Sequence, residues 1–373
     1  MLMDKDFEIW LRLAYVGFPA GRLTRVLERW ETPEALFDAA RRGKDGALLE
    51  TSGITRQSIE RLREASDRDL TKALEAMDRY EIRMLFLDDD SYPAQLKQIS
   101  DPPLYLFARG ELKATDIKSV AIVGTRNVTD YGSGIAEKFA SELAARGFTI
   151  VSGLARGIDT FAHRGALRGK GRTLAICGCG LDVVYPSENK QLMADIIDNG
   201  ACLSEYAPGD QPLNWHFPAR NRIISGLSQA VVVVESGAKS GALITADFAL
   251  EQGKEVFAVP GNVHRMQSRG PHSIIKQGAY LTESVDDILA VLENRALPLE
   301  DDVIESTFEA KPRDDLSATE NHLMLLLDVE PKFIDDLAAA AKMSAAEVNA
   351  TLVMLEIKGA AKRLPGNTFA RVV

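Results

Sequence analysis

The sequence predicts an α/β protein: a doubly wound, mostly parallel sheet, preceded by an all-helical segment and followed by a small module of helices and a hairpin. Three observations carry this. Apolar β-branched runs alternate with helical patterns between Val120 and Thr282, short amphipathic helices separated by glycines fill residues 1–80, and residues 318–373 return to helices that end in a hairpin. Strands alternating with helices pair in parallel, because each crossover helix returns the chain to the same edge of the sheet.

In order along the chain, residues 1–80 read as a helical bundle. Ile9 to Val16 carries an apolar stripe, Gly17 and Gly21 break it, and Arg22 to Trp30 forms the next helix. Thr32 followed by Pro33 and Glu34 is a cap with a first-turn proline, which predicts a helix start there. The turn Thr51-Ser-Gly-Ile-Thr55 precedes an amphipathic helix from Gln57 to Ala65. Short helices joined by glycine turns suit a helix-hairpin-helix grip on phosphate, but bundle packing alone explains the pattern. Residues 81–117 read as a connector with a short strand at Met84–Leu87 and a rigid extended turn at Asp101-Pro102-Pro103.

The sheet domain is expected over residues 118–295, with strands near 119–123, 148–151, 172–176, 201–204, 229–234 and 255–259. Residues 296–317 are acidic, proline-containing and non-periodic, and read as a linker. Beyond it lie helices at 320–328 and 333–341, a third capped by Ser344 and running to Leu355, and a hairpin turning at Pro365-Gly-Asn367. Three helices and a hairpin form a winged-helix outline. Its third helix carries no basic residue, which favours protein contact or packing over reading of a duplex groove.

A chain of 373 residues exceeds one comfortable core and implies several domains. No apolar run reaches the roughly 20 residues of a membrane helix, and Met1 to Asp6 lacks the basic start and apolar core of a secretory signal, so the expected location is the cytoplasm with no membrane contact. Cys177, Cys179 and Cys202 fall in or beside apparent strands, without a nearby histidine or a framework spacing, and read as reduced core thiols. The net charge of −10 argues against a polyanionic partner only as a sum; the informative quantity is whether cations cluster on one surface.

They cluster in the turns that follow the strands. Gly124-Thr-Arg126 closes the first strand, where glycine admits close backbone approach and arginine pairs two phosphate oxygens. Ser152-Gly153 and Gly157 flank Arg156 in a second turn that resembles a phosphate nest, with Asp159 placed to cap the next helix and His163 a turn further on as a structural residue. Phe217, Arg220, Asn221, Arg222 and Ser225 bring charge, amide and an aromatic face into one segment. Gly237, Ser240, Gly241 and Thr245 form a small-residue loop entering a helix, a natural seat for an anion. No nucleophile stands at matched spacing from a base, and no Walker lysine or metal-ligand motif is present, so no catalytic residue, metal or cofactor is assigned.

These residues, with Gly178-Cys-Gly-Leu-Asp182, Tyr185-Pro186, Asn189, Phe257 to Gly261 and the connector's Tyr92-Pro93, closely resemble the DprA family, the DNA-processing proteins also called Smf. The resemblance spans the whole sheet domain and the three-part layout. It implies an extended Rossmann-like domain between a SAM-like or helix-hairpin-helix-like bundle and a winged helix. It also implies binding and protection of single-stranded DNA, loading of the recombinase RecA during natural transformation, homodimerisation through the sheet domain and no enzymatic turnover. Arg126 and the loops holding Ser152–Asp159, Phe217–Ser225 and Ser240–Thr245 would form the groove; Lys190 stands three residues past Ser187, where relatives often carry a basic residue. Two other readings are a nucleotide phosphoribohydrolase, whose glutamate would fall at Phe248, and a duplex-binding regulator working through the winged helix.

Overall fold

The computed structural model describes residues 5–18, 20–296, 316–327, 332–364 and 368–371. Most of the expected linker (297–315), the hairpin turn at 365–367 and the first four residues lie outside the described residues. The chain divides into two compact units, Met1–Ala296 and Leu297–Val373.

The first unit opens with six helices: α1 Lys5–Val16, α2 Ala20–Trp30, α3 Pro33–Arg41, α4 Asp45–Leu49, α5 Arg56–Ser66 and α6 Thr71–Arg79. Their starts follow side-chain chemistry. Thr32 Oγ1 accepts the Ala35 N–H at 3.2 Å with Pro33 at the first helical position of α3, and Thr55 and Ser58 form a reciprocal capping box on α5. The sheet then follows: β1 Arg83–Phe86, β2 Tyr105–Gly110, β3 Ser119–Val123, α7 Asp130–Ala145, β4 Thr149–Ser152, α8 Ile158–Arg168, β5 Thr173–Ile176, α9 Lys190–Asn199 and β6 Gly200–Ser204. After β6 come α10 His216–Leu227, β7 Ala230–Val233, α11 Gly241–Glu251, β8 Glu255–Ala258, α12 Arg269–Ile275, β9 Tyr280–Leu281 and α13 Val285–Ala296.

Among the described residues nine strands form one sheet in the order β1-β2-β6-β5-β4-β3-β7-β8-β9, parallel from β6 to β9 and antiparallel where β2 joins β6 and β1. Successive residues of β3 serve opposite faces. Val120 and Ile122 pack with α7, α8 and α13, while Ala121 and Val123 pack with α10 and α11. The chain winds from β3 outward to β6, and α10 carries it back to β7 beside β3. Loops leaving β3 and β7 therefore diverge to opposite faces and open a crevice at their carboxyl ends.

Strand β2 lies within the segment read from sequence as a connector. Its apolar run, bounded by Pro103 and Gly110, is a strand signal that the surrounding prolines and turns obscured. Through β1 and β2 the bundle shares a hydrophobic cluster with the sheet: Trp10 meets Phe86 and Tyr105 edge to face at 5.6 and 6.2 Å, and Tyr15 donates to the Pro208 carbonyl at 2.6 Å.

The second unit holds α14 Ala318–Leu326, β10 Lys332–Phe333, α15 Ile334–Ala341, α16 Ala345–Ile357, β11 Ala361–Leu364 and β12 Thr368–Arg371, with the strands ordered β10-β12-β11. Leu323, Leu337, Val348, Leu352, Leu355 and Phe369 form its own core. Ser317 and Ser344 close capping boxes with Glu320 and Glu347, fixing where α14 and α16 begin. Among the described residues no helix is long and apolar enough to cross a membrane.

Candidate nucleic-acid interface

The crevice is built from the ends of β3 and β7 and the first turns of α10 and α11. A Cβ at Gly124 would strike the Ile158 side chain and the Glu235 carbonyl, so only glycine allows β3 to turn here. Thr125 N–H donates to Glu235 O at 2.7 Å and Ile158 N–H donates to Thr125 O at 3.2 Å. This anchored backbone leaves Arg126 exposed, with its guanidinium carbon 5.2 Å from the Phe217 ring centroid.

Helix α10 begins at His216, which puts Phe217 in its first turn and Arg220 one turn later, 5.9 Å from the same ring. Tyr185, 41% exposed, lies 5.5 Å from Phe217 at 35°. On the far side Ser240 caps α11, its hydroxyl accepting the Ala242 N–H at 3.3 Å. Asn221 joins the two helices: its Nδ2 donates to Gly241 O at 3.0 Å and its Oδ1 accepts from Arg220 Nε at 3.0 Å. Gly124, Arg126, Phe217, Arg220, Asn221, Ser240, Gly241 and Thr245 line one cavity of about 430 Å³. A much smaller neighbour shares Arg126 and Phe217 and adds Gly153, Arg156 and Tyr185.

Other residues singled out in the sequence are placed differently, each for a physical reason. The loop after β4 is not an open phosphate nest. The Asp159 carboxylate accepts the Gly153 and Ala155 N–H groups at 3.1 and 3.3 Å, so an internal anion already holds those donors. Asp159 is the second residue of α8 rather than its cap, which is Gly157, and burial pushes its carboxyl up against the opposing pull of Arg220. Ser152 is fully buried and donates to Ile122 O at 2.7 Å. Gly157 serves the backbone, with φ of 77° and no room for a Cβ against Thr125 O. Arg156 is exposed and forked onto Glu188, one contact of which is 2.9 Å.

Arg220 is 4% exposed and is not a free fork. Its Nη1 donates to Gly153 O at 2.7 Å and to Ile176 O, tying together the ends of β4 and β5. Arg222, 5% exposed, points away from the cavity and grips Glu205, with Asp101 Oδ2 at 3.2 Å. Two residues along a helix turn the side chain about 200°, so α10 cannot offer both arginines to one ligand. Ser225 is buried and donates back to Arg222 O within α10. Lys190 is the first residue of α9, exposed, and lines neither cavity; Gly237 accepts from the Ser240 N–H at 3.2 Å and lines neither.

His163 is completely buried. Its Nδ1 meets Thr173 Oγ1 at 2.7 Å, and because that hydroxyl already donates to Ile150 O, the imidazole supplies the proton; burial holds its pKa down to about 3. Phe248, where a hydrolase glutamate would fall, lines a different cavity between bundle and sheet. All three cysteines are buried; the Cys202 contact and burial push the Cys177 thiol up, and burial does the same to Cys179. Tyr185 stands in the sequence only as part of a motif and Pro218 only as a flank of the Phe217 segment, while nothing there marks Asn214; Asn214 and Pro218 line the main cavity and Tyr185 its neighbour. The signal for Tyr185 was an aromatic before proline, just after a glycine turn at a strand end.

Residues 83–293 match the family model of DNA recombination-mediator protein A, and residues 309–367 match that of the DprA winged helix domain. The chain belongs to the DprA/Smf family. Protein Smf of Escherichia coli is 36% identical over 362 residues, spanning 97% of this chain and 95% of that protein. Among solved structures, DprA from Streptococcus pneumoniae aligns with a TM-score of 0.65 at 37% identity over 78% of this chain and 98% of its own. DprA from Helicobacter pylori, solved to explain its single-stranded DNA binding mode, aligns at 0.53 with 31% identity over 58% of this chain and 97% of its own. The DprA/Smf model covers the full cavity described above, from Gly124 to Thr245.

Proposed function

We propose that this chain binds single-stranded DNA along the carboxyl edge of its sheet, protects it, and loads the recombinase RecA onto it during DNA uptake and recombination. The observation that carries the reading is the stack at the mouth of the crevice: exposed Arg126 over Phe217, with half-open Tyr185 beside it. A guanidinium next to aromatic faces holds phosphate and base together without selecting a base. The capped start of α11 and the Thr245 hydroxyl line the opposite wall, where backbone N–H groups suit phosphate. The H. pylori relative's single-stranded DNA binding supports the ligand, and the family's description as a recombination mediator supports the recombinase.

The reading includes a homodimer through the sheet domain. Edge strand β9 leaves Tyr280 and Leu281 about half exposed, and Val263 and Met266 stand open in the loop after β8. Exposed apolar residues at a sheet edge suit a second copy of the chain.

The groove is a grip rather than a catalytic centre in this reading, since Asp159, the carboxylate in its lining, is held by two backbone N–H groups. The test is a titration of labelled single strands over a salt series with the native chain and Arg126→Ala. Affinity is expected to fall about tenfold and the slope of log affinity against log salt to become shallower by about 0.7, the value for one phosphate on a single strand. Equal affinity and equal slope in the two proteins would sink the groove assignment.

A further inference from the structure

Two residues before Phe217, between it and Asn214, Trp215 borders a second cleft of about 270 Å³ cut into the helical bundle. Arg22 and Arg61 line this cleft, both exposed, and among the described residues neither has a carboxylate partner. The stem of Arg22 packs over Gly53, where a Cβ would come within 3.3 Å of it, and Arg61 reaches the turn at Gly17. The turns that join the bundle helices therefore position both cations. Among the described residues no carboxylate lines the cleft, although Arg61 and Trp215 also line the adjoining cavity between bundle and sheet, which Glu64, Asp101, Glu205 and Asp210 border. Trp215 is 51% exposed, an unusual state for a large apolar ring, and it is held in place by His216 at 4.1 Å and 83° and by Tyr206 at 6.4 Å and 78°.

We infer that a DNA single strand leaving the main groove continues over Trp215 onto the bundle, with one base stacked on the indole and the following phosphates paired by Arg22 and Arg61. The argument for this occupant is continuity: the segment Asn214–Phe217 lines both openings, and an open aromatic ring beside exposed guanidinium groups parallels Arg126 beside Phe217 and Tyr185 in the main groove. The bundle thus lengthens the track. This inference rests on the single-strand reading above.

The experiment measures affinity for two labelled oligodeoxythymidines, one of about six nucleotides, near the lower site size for such grooves, and one of about twenty. The full chain is compared with Trp215→Ala, an Arg22→Ala/Arg61→Ala double variant and Arg126→Ala, each checked for an unchanged thermal midpoint. The bundle variants are expected to lose about tenfold on the longer strand and nothing on the shorter, and the double variant to flatten the salt slope by about 1.4, two single-strand phosphates. Trp215→Phe should restore most of the loss. If Arg126→Ala weakens both lengths while the bundle variants match the native chain, the extension is wrong and the groove stands. If the native chain binds neither oligonucleotide, the single-strand reading falls and takes the extension with it. Loss on the longer strand with an unchanged salt slope in the double variant would also overturn the phosphate role of the two arginines.

Discussion

Arg220 and Arg222 look alike in the sequence and do opposite things in the fold. The basic character of the segment was legible, but the direction of each side chain depends on where α10 starts, and His216 has no capping side chain to announce it. The structure changes what these residues predict. Arg222→Ala strands Glu205 and Asp101 in a partly buried site and should cost about 3 kcal/mol in a denaturant titration, while the folded fraction keeps its affinity for a single strand. A variant of normal stability would contradict the ion-pair role. Arg220→Ala should destabilise the fold as well as weaken binding, because it frees two strand-end carbonyls beneath the loop at Gly153. Asp210 gives a pH-dependent counterpart. Burial raises its pKa from 3.8 to about 6, so the neutral form suits the fold and the stability it allows is lost as pH rises from about 4 through 6. Asp210→Asn keeps the acceptor for the Ala207 N–H and should add about 1–2 kcal/mol at pH 7.5 and almost nothing at pH 4. Parallel thermal melts at the two pH values decide this, and an equal gain at both would refute it.

At the scale of elements, the turns after β3 and β4 are interlocked. Gly157, with φ of 77°, presses against Thr125 and Arg126, and Gly124 against Ile158, so neither loop moves alone. Gly157→Ala should therefore cost about 2 kcal/mol or more and also lower strand affinity by displacing Arg126. Gly134→Ala, in α7 with nothing within 4 Å of the added methyl, should be neutral or stabilising by up to about 1 kcal/mol. Reversal of that order in unfolding experiments would show that the loops are not coupled. The central strands were readable within a residue or two, because buried parallel strands are short β-branched runs bounded by glycine. Loop chemistry was less readable. The donors of the Gly153–Ala155 loop are visible in the sequence, but the carboxylate that fills them comes from the following helix and is recognisable as their partner only once the chain has turned.

At the scale of the whole molecule, the groove lies wholly in the first unit, and the second has its own core. Deleting residues 299–373 should leave single-strand affinity within about twofold, and loss of binding would show that the groove is incomplete. In that second unit, α16 exposes Val353 and Met354 beside Glu347 and Glu356, a surface better matched to protein than to a duplex. The net charge of −10 is compatible with a polyanion because Arg126 and Arg220 line one crevice, whose lining acid Asp159 is held by backbone N–H groups, while several other acids lie around the cavity between bundle and sheet.

The buried guanidinium of Arg220 bears on how a strand would travel through the groove. A cation fixed to strand-end carbonyls beneath the surface, with the Asp159 carboxylate beside it, would act on a chain of phosphates through space rather than by bonding to any one of them. Its pull changes little as the chain advances by one phosphate, whereas a direct pair such as that offered by Arg126 must break and re-form. On the single-strand reading proposed above, a floor of this kind would let a bound strand shift along the sheet edge more readily than it could leave it.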